Sequence, residues 1–143
     1  MNMTSIAGGD GVPSEPDWRS LYADELDVAE AHDQWGIVTR EMSSAGTLVV
    51  ANEHAIQRLI EFRVIYQRSS RHVAEHGPIL KAKRAKVGQW NPHWSAMRQA
   101  SAEITVLEAR LGLDPVARGK ATKVQRAKKA PRAADAYLKA VPK

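Results

Sequence analysis

The 143-residue sequence contains no cysteine, and this absence excludes several classes of protein. Without thiols the chain can form no disulfide, no thiolate-ligated zinc or iron–sulfur centre, and no cysteine nucleophile. Aromatic residues make up only 6% of the chain, and no apolar run approaches the 18 residues of a membrane-spanning helix. The first sixteen residues lack the basic start and apolar stretch of a signal peptide. We therefore predict a soluble, intracellular protein without a cofactor.

What the chain does contain is alanine, lysine and arginine in abundance, together with apolar residues at helical spacing. This pattern predicts a mainly α fold of long antiparallel helices. The first helix is expected to start at Asp17, a good N-cap, and to run about seven turns to Gly46. Thr47 is expected to cap the second helix, which ends before Gly77-Pro78.

The last third of the ordered chain is predicted to hold a hairpin and one more helix. Residues 79–90 lack a helical period and favour a short β-hairpin or extended loop. Asn91-Pro92 then reads as a cap and first residue of a final helix, which Gly112 terminates. The predicted divisions are a flexible arm at 1–16, a helical core and oligomerisation domain at 17–118, and a disordered basic tail at 119–143.

The second predicted helix is apolar around much of its circumference. A domain this small offers few elements to cover such a helix, so we expect a second subunit to cover part of it. The candidate interface residues are Leu48, Ile56, Leu59, Phe62 and Tyr66, with Trp35 from the first helix.

Charge is distributed unevenly along the chain. Residues 1–46 hold nine acidic and two basic residues, whereas residues 78–143 hold fifteen basic and four acidic ones. The acidic residues of the first helix are interpreted as a solvated face, and the basic half suits a polyanion. The candidate DNA-binding residues are Lys81, Lys83, Arg84, Lys86, Arg118, Lys120, Lys123, Arg126, Lys128, Lys129 and Arg132.

Alternatives exist for both basic segments. Strand-like alternation would place Lys81 and Lys83 on one face of the hairpin and Arg84 and Lys86 on the other, where they could instead protect an open strand edge. The tail could equally act as a solubilising segment or as a handle for a protein partner. Trp90, beside the hairpin, is the one tryptophan considered for a functional contact.

One motif suggests catalysis. The segment from His72 to His76 has the His-x-x-Glu-His spacing of a zinc protease. However, Gly77-Pro78 ends the helix directly, and the basic downstream half offers no obvious third ligand. Histidines in a last helical turn also interact favourably with the helix dipole without a metal. We therefore predict no catalytic residues, no metal and no enzymatic activity.

The order of these features resembles the small subunits of tailed-phage terminases. The residues that carry the resemblance are Gly77, Asn91-Pro92, and Leu111-Gly112-Leu113-Asp114-Pro115 with Arg118. With the long helix that precedes Gly77, the resemblance extends in order and spacing over roughly residues 20–120, and the ordered set is more specific than any single piece. Asp114 stands where a hydroxyl residue is more common, but aspartate caps a helix equally well.

The resemblance implies a non-catalytic, ring-forming protein in the cytoplasm of the bacterial host. Such a protein binds double-stranded viral DNA and recruits or regulates the large terminase subunit, which carries the ATPase and nuclease. Its expected partners are therefore DNA, the large subunit and further copies of itself, with no membrane. Two alternatives are a dimeric helical DNA-binding regulator and a structural phage protein. The number of subunits distinguishes a dimeric regulator from a ring.

Overall fold

The structure is a computed structural model that describes residues 11–114. Its helices are α1 (Trp18–Leu21), α2 (Glu25–Ala45), α3 (Glu53–His76) and α4 (Pro92–Arg110), with a 3₁₀ turn at Val50–Asn52. Between α3 and α4, strands β1 (Ile79–Leu80) and β2 (Gln89–Trp90) pair antiparallel. This confirms the predicted fold class, a mainly helical chain with a short hairpin. No helix of the described part is long and apolar enough to cross a membrane.

Helix α3 lies at the centre of the fold, between α2 and α4. Its Arg63 side chain binds Gln34 of α2 and Glu108 of α4, with N–O distances of 2.7 and 2.8 Å. Its Ile56, Leu59, Ile60 and Val64 are buried in one core with residues of α2 and the end of α4. Asp27, near the start of α2, forms an ion pair with Arg68, near the end of α3. These two helices therefore run antiparallel.

The predicted first helix is divided in two. Asp17 does act as an N-cap, accepting a hydrogen bond from the Arg19 backbone N–H, but α1 ends after one turn. Asp24 then caps α2 in the same way. A continuous helix would separate Trp18 from Trp35 by about 25 Å, whereas their ring centroids are 6.1 Å apart. The chain turns at residues 22–24 because this lets α1 fold back and bury Trp18 against α2.

The predicted cap at Thr47 is also wrong. The Thr47 hydroxyl donates backwards to the Met42 carbonyl, and α3 starts only at Glu53, after the 3₁₀ turn. The preceding helix end explains the difference. Gly46 takes a left-handed conformation, and the Thr47 N–H binds the Met42 carbonyl, which closes a Schellman motif. Thr47 therefore serves the end of α2 and is not available to start α3.

Residues 11–16, which belong to the arm predicted from the sequence, lie against the helices. Pro13 is buried, and Glu15 accepts from the Trp18 indole N–H and contacts His32. The Ser14 hydroxyl reaches the Glu53 carboxylate at 3.2 Å. The helical core therefore extends at its N-terminal side beyond the predicted boundary at residue 17. Residues 1–10 and the tail predicted at 119–143 lie outside the described residues.

Two glycines, Gly36 inside α2 and Gly46 just after it, provide a test of the α2 backbone. At Gly36, inside the helix, an added Cβ would meet nothing within 4 Å. We expect Gly36→Ala to raise the free energy of unfolding by about 0.5–1 kcal/mol, because alanine loses less backbone entropy in a helix. Gly46→Ala is the matched control with the opposite sign, since Gly46 has φ +71°. Urea unfolding of both variants checks this. A destabilised Gly36→Ala protein would contradict a continuous α2.

Candidate nucleic-acid interface

The base of the hairpin is held by Asn91, which is fully buried. Its side-chain oxygen accepts from the His93 backbone N–H, which caps α4, and its amide nitrogen donates to the Gly77 carbonyl. The Asn91 backbone N–H donates to the Pro78 carbonyl at 2.8 Å. The Asn-Pro pair therefore begins α4, as predicted, and one asparagine also ties the end of α3 to the start of α4.

The hairpin itself is short and depends on one close approach. Ile79 pairs with Trp90 and Leu80 with Gln89, and the eight residues between the strands form its loop. A Cβ on Gly88 would come within 2.5 Å of the Ile79 side chain. Only glycine fits at this point without moving Ile79.

The four candidate cations of the hairpin are all exposed. They lie in the loop and not in the strands, and the Ala85 N–H donates to the Ala82 carbonyl across a tight turn. The predicted strand alternation of Lys81 and Lys83 against Arg84 and Lys86 is therefore wrong. Because each strand has only two residues, Lys83 and Arg84 occupy the centre of the turn instead. The segment from Gly77 to Asn91 contains no acidic residue, so these cations have no carboxylate partner within the hairpin itself.

Large apolar side chains are exposed beside these cations. The exposed fractions are 78% for Val87, 66% for Trp90 and 55% for Ile79. A shallow cleft of about 350 Å³ runs between Leu80, Val87 and Trp90. The accessibility of Trp90 agrees with its selection from the sequence, whereas Trp18 and Trp35 are buried and Trp94 is half-buried.

The remaining candidate DNA-binding residues lie outside the described residues: Arg118, Lys120, Lys123, Arg126, Lys128, Lys129 and Arg132. Only their positive charge is known, from the sequence.

The end of α4 at Gly112 was predicted correctly. The Leu113 N–H donates to the Glu108 carbonyl, and Leu111 and Leu113 are buried in the core.

The six candidate interface residues divide into two groups. Trp35, Ile56 and Leu59 are buried inside the single chain, with at most 6% of their surface exposed. These three are core residues, so assigning them to a subunit interface was wrong in physical terms, because their surface is already covered. Leu48, Phe62 and Tyr66 are half-buried and keep some surface for another molecule.

One buried ion pair was missed in the sequence. Asp27, interpreted as part of a solvated face, is 1% exposed and forms an ion pair with Arg68. Arg68 also lies near Tyr22. Burial and the nearby Glu61 carboxylate raise the pKa of the Tyr22 phenol, and the Arg68 charge lowers it by a smaller amount. A signal existed for Asp27, since it falls one helical turn before the core residue Ala31. Nothing in the sequence identifies its partner on another helix.

The histidine motif is arranged differently from a zinc site. His72 stacks on His76 of α3 and on His93 of α4, with ring centroids 4.3 and 3.9 Å apart. His93 belongs to the downstream half, in which the sequence offered no obvious third ligand, and the antiparallel packing of α3 and α4 brings it to the motif. The rings are nearly parallel, so their nitrogens do not converge on one point. Among residues 11–114 no group of three ligating side chains could hold a metal ion.

A comparison with known protein families gives a match over most of the chain. The family described as "Phage terminase, small subunit" matches residues 31–128, which is about two thirds of the chain. The chain belongs to this family. The matched region of this terminase small subunit includes most of α2, all of α3 and α4, the hairpin and part of the basic tail. No curated protein and no solved structure is significantly similar to it.

Proposed function

We propose that this terminase small subunit is the non-catalytic DNA-recognition component of a viral DNA-packaging machine. In this role it binds viral double-stranded DNA in the bacterial cytoplasm and recruits or regulates the large ATPase-nuclease subunit. The family supports the packaging role. The observation that supports DNA recognition is the hairpin, where four exposed cations lie in a segment that contains no acidic residue.

The chemistry of the hairpin suits the phosphate backbone. Lysine and arginine side chains in an exposed turn can approach phosphate oxygens from several directions, and such contacts carry no sequence information. Arg118 and the basic tail that follows it add seven more candidate cations at close spacing. Trp90 extends the surface, since an exposed indole next to cations can pack against sugar or base. The hairpin and the tail together are the proposed DNA contacts.

The proposal includes assembly into a homo-oligomeric ring. Leu48, Phe62 and Tyr66 are the remaining candidates for the subunit interface, because they retain exposed surface. Exposed apolar residues that precede α3, Val49 at 48% and Val50 at 46%, lie in the same segment as Leu48. A native mass measurement decides between a ring and the dimer expected of a simple regulator.

Salt dependence of DNA binding tests the proposed contacts. Each phosphate contact releases counterions and contributes about −0.9 to the slope of log affinity against log salt. Replacing Lys81, Lys83, Arg84 and Lys86 with alanine should therefore make the slope shallower by about 3 to 4 and weaken binding on every sequence alike. Deleting residues 119–143, which removes eight cations, should have the same kind of effect. Fluorescence anisotropy with a labelled duplex at several salt concentrations provides both quantities.

A charge-matched control separates local contact from net charge. Arg40, Arg58, Arg98 and Arg110 are exposed and lie outside the hairpin, so replacing these four with alanine removes the same charge. This control should change the slope much less than the hairpin variant does. Equal slopes for the two variants would refute a specific hairpin contact. If deletion of the tail abolishes binding to the large subunit but leaves the slope unchanged, the tail is a protein-docking segment.

A further inference from the structure

The side-chain amide of Asn91 has a third neighbour besides Gly77 and His93. Its nitrogen lies 3.1 Å from Nδ1 of His72, on the last turns of α3. The orientation of the amide is fixed, because its oxygen must face the His93 N–H and its nitrogen must face the Gly77 carbonyl. An amide NH₂ has two hydrogens and no acceptor. One hydrogen serves Gly77, and the other points at His72.

This arrangement determines the protonation state of His72. Because the Asn91 nitrogen can only donate, Nδ1 of His72 must be an unprotonated acceptor, and its proton lies on Nε2. His76 has the other tautomer, since its Nδ1 lies 3.1 Å from the His72 carbonyl and must donate to it. The hairpin base is therefore complete only when His72 is neutral.

We propose that His72 is a proton-binding latch at the base of the hairpin. Protonation of Nδ1 places an N–H against the NH₂ group of Asn91, so the hydrogen bond between them is lost and two donors face each other. Asn91 cannot rotate without also losing Gly77 or the cap of α4. Protonation therefore loosens residues 77–91 from the end of α3, and this response is independent of whether the hairpin binds DNA.

The surroundings of His72 also favour its neutral form. Partial burial lowers the pKa of His72 from its ordinary value of 6.5, and the neighbouring His93 and His76 lower it further, while Glu75 raises it. His76 and Glu75 lie on α3 and His93 on α4, and the hairpin itself carries only cations. A lowered pKa means that the unlatched chain binds the proton more readily. The latch is therefore fully closed above about pH 6.5 and opens as the pH falls below it.

Hydrogen exchange of the full chain tests the latch. Exchange is measured at about pH 7.5 and about pH 5.5, on either side of the ordinary histidine pKa, and corrected for intrinsic rates. We expect amides of residues 79–91, above all the Asn91 N–H, to lose protection several-fold relative to α2 at the lower pH. His72→Gln should remove this difference, because a glutamine oxygen accepts from Asn91 at every pH.

Two controls separate the latch from a general effect of acid. His76→Gln keeps the partner of Asn91 and should retain the pH response, and His54→Gln, on an exposed part of α3, should not change it. The proposal is overturned if the wild-type hairpin keeps the same relative protection at both pH values, or if His72→Gln responds like wild type. A second measurement needs no variant: ¹⁵N shifts of the His72 ring must show Nδ1 unprotonated at about pH 7.5. A protonated Nδ1 there would also overturn it.

Discussion

Replacement of Leu59 with alanine should lower the free energy of unfolding by about 3 kcal/mol. Leu59 has no exposed surface and lies in the second turn of α3, where it belongs to one core with residues of α2 and the end of α4. Removing most of its side chain loses the transfer free energy of the buried carbons and leaves a cavity that a packed helical core closes only in part. Urea denaturation followed by circular dichroism measures the loss.

The same experiment tests the placement of Leu59 in the core of the single chain. For a core residue, the difference between wild type and variant is the same at low and high protein concentration. Ile65→Ala is the matched control, because Ile65 lies on the same helix but is 41% exposed, and it should cost less than about 1 kcal/mol. A Leu59 effect that shrinks as the protein is diluted would instead place this residue between subunits, because a dissociated interface no longer contributes to stability.

Replacement of Asn91 with alanine should lower the free energy of unfolding by about 2 to 3 kcal/mol. The variant loses the cap of α4, which contributes about 1 kcal/mol. It also leaves the Gly77 carbonyl without its Asn91 donor, and an unsatisfied buried acceptor costs about 1–3 kcal/mol. The loss should be largest near neutral pH, where His72 is neutral and accepts its bond from the same amide.

Asn52→Ala provides the comparison for Asn91. Asn52 also precedes a helix, but its side chain makes no capping hydrogen bond to α3 and reaches only the Thr47 carbonyl at 3.4 Å. Its replacement should cost less than about 0.5 kcal/mol. Thermal unfolding of the two variants side by side provides the test. If the two variants lose the same free energy of unfolding, the hydrogen bonds of the buried Asn91 side chain do not stabilise the fold as the structure indicates.

Features that depend on neighbouring residues could be predicted from the sequence. Asn91-Pro92 starts a helix because the cap and the fixed proline backbone act within one turn, and Gly46 and Gly112 end helices for equally local reasons. The absence of a helical period at 79–90 located the hairpin. The charges of its loop could also be read directly, but not their positions, because strand length depends on pairing.

Features that depend on distant residues could not be predicted. The turn at residues 22–24 depends on the contact between Trp18 and Trp35, which are far apart in sequence. The ion pair of Asp27 with Arg68 and the approach of His93 to His72 have the same origin. The apolar stripe on α3 predicts that this face is buried, but it does not identify the element that covers it. For this reason the sequence alone placed Leu59 at a subunit interface.

Helix α4 separates the two segments proposed to contact DNA. The hairpin precedes Pro92 and the basic tail continues from the other end, so nineteen helical residues lie between them. At 1.5 Å per residue this is about 28 Å, close to the roughly 34 Å rise of one turn of B-form DNA. A duplex lying lengthwise along α4 would therefore pass both ends of this helix, and contacts at the two ends would fall on nearly the same side of the double helix. A duplex crossing α4 would pass only one end, and its footprint on the described residues would be correspondingly shorter.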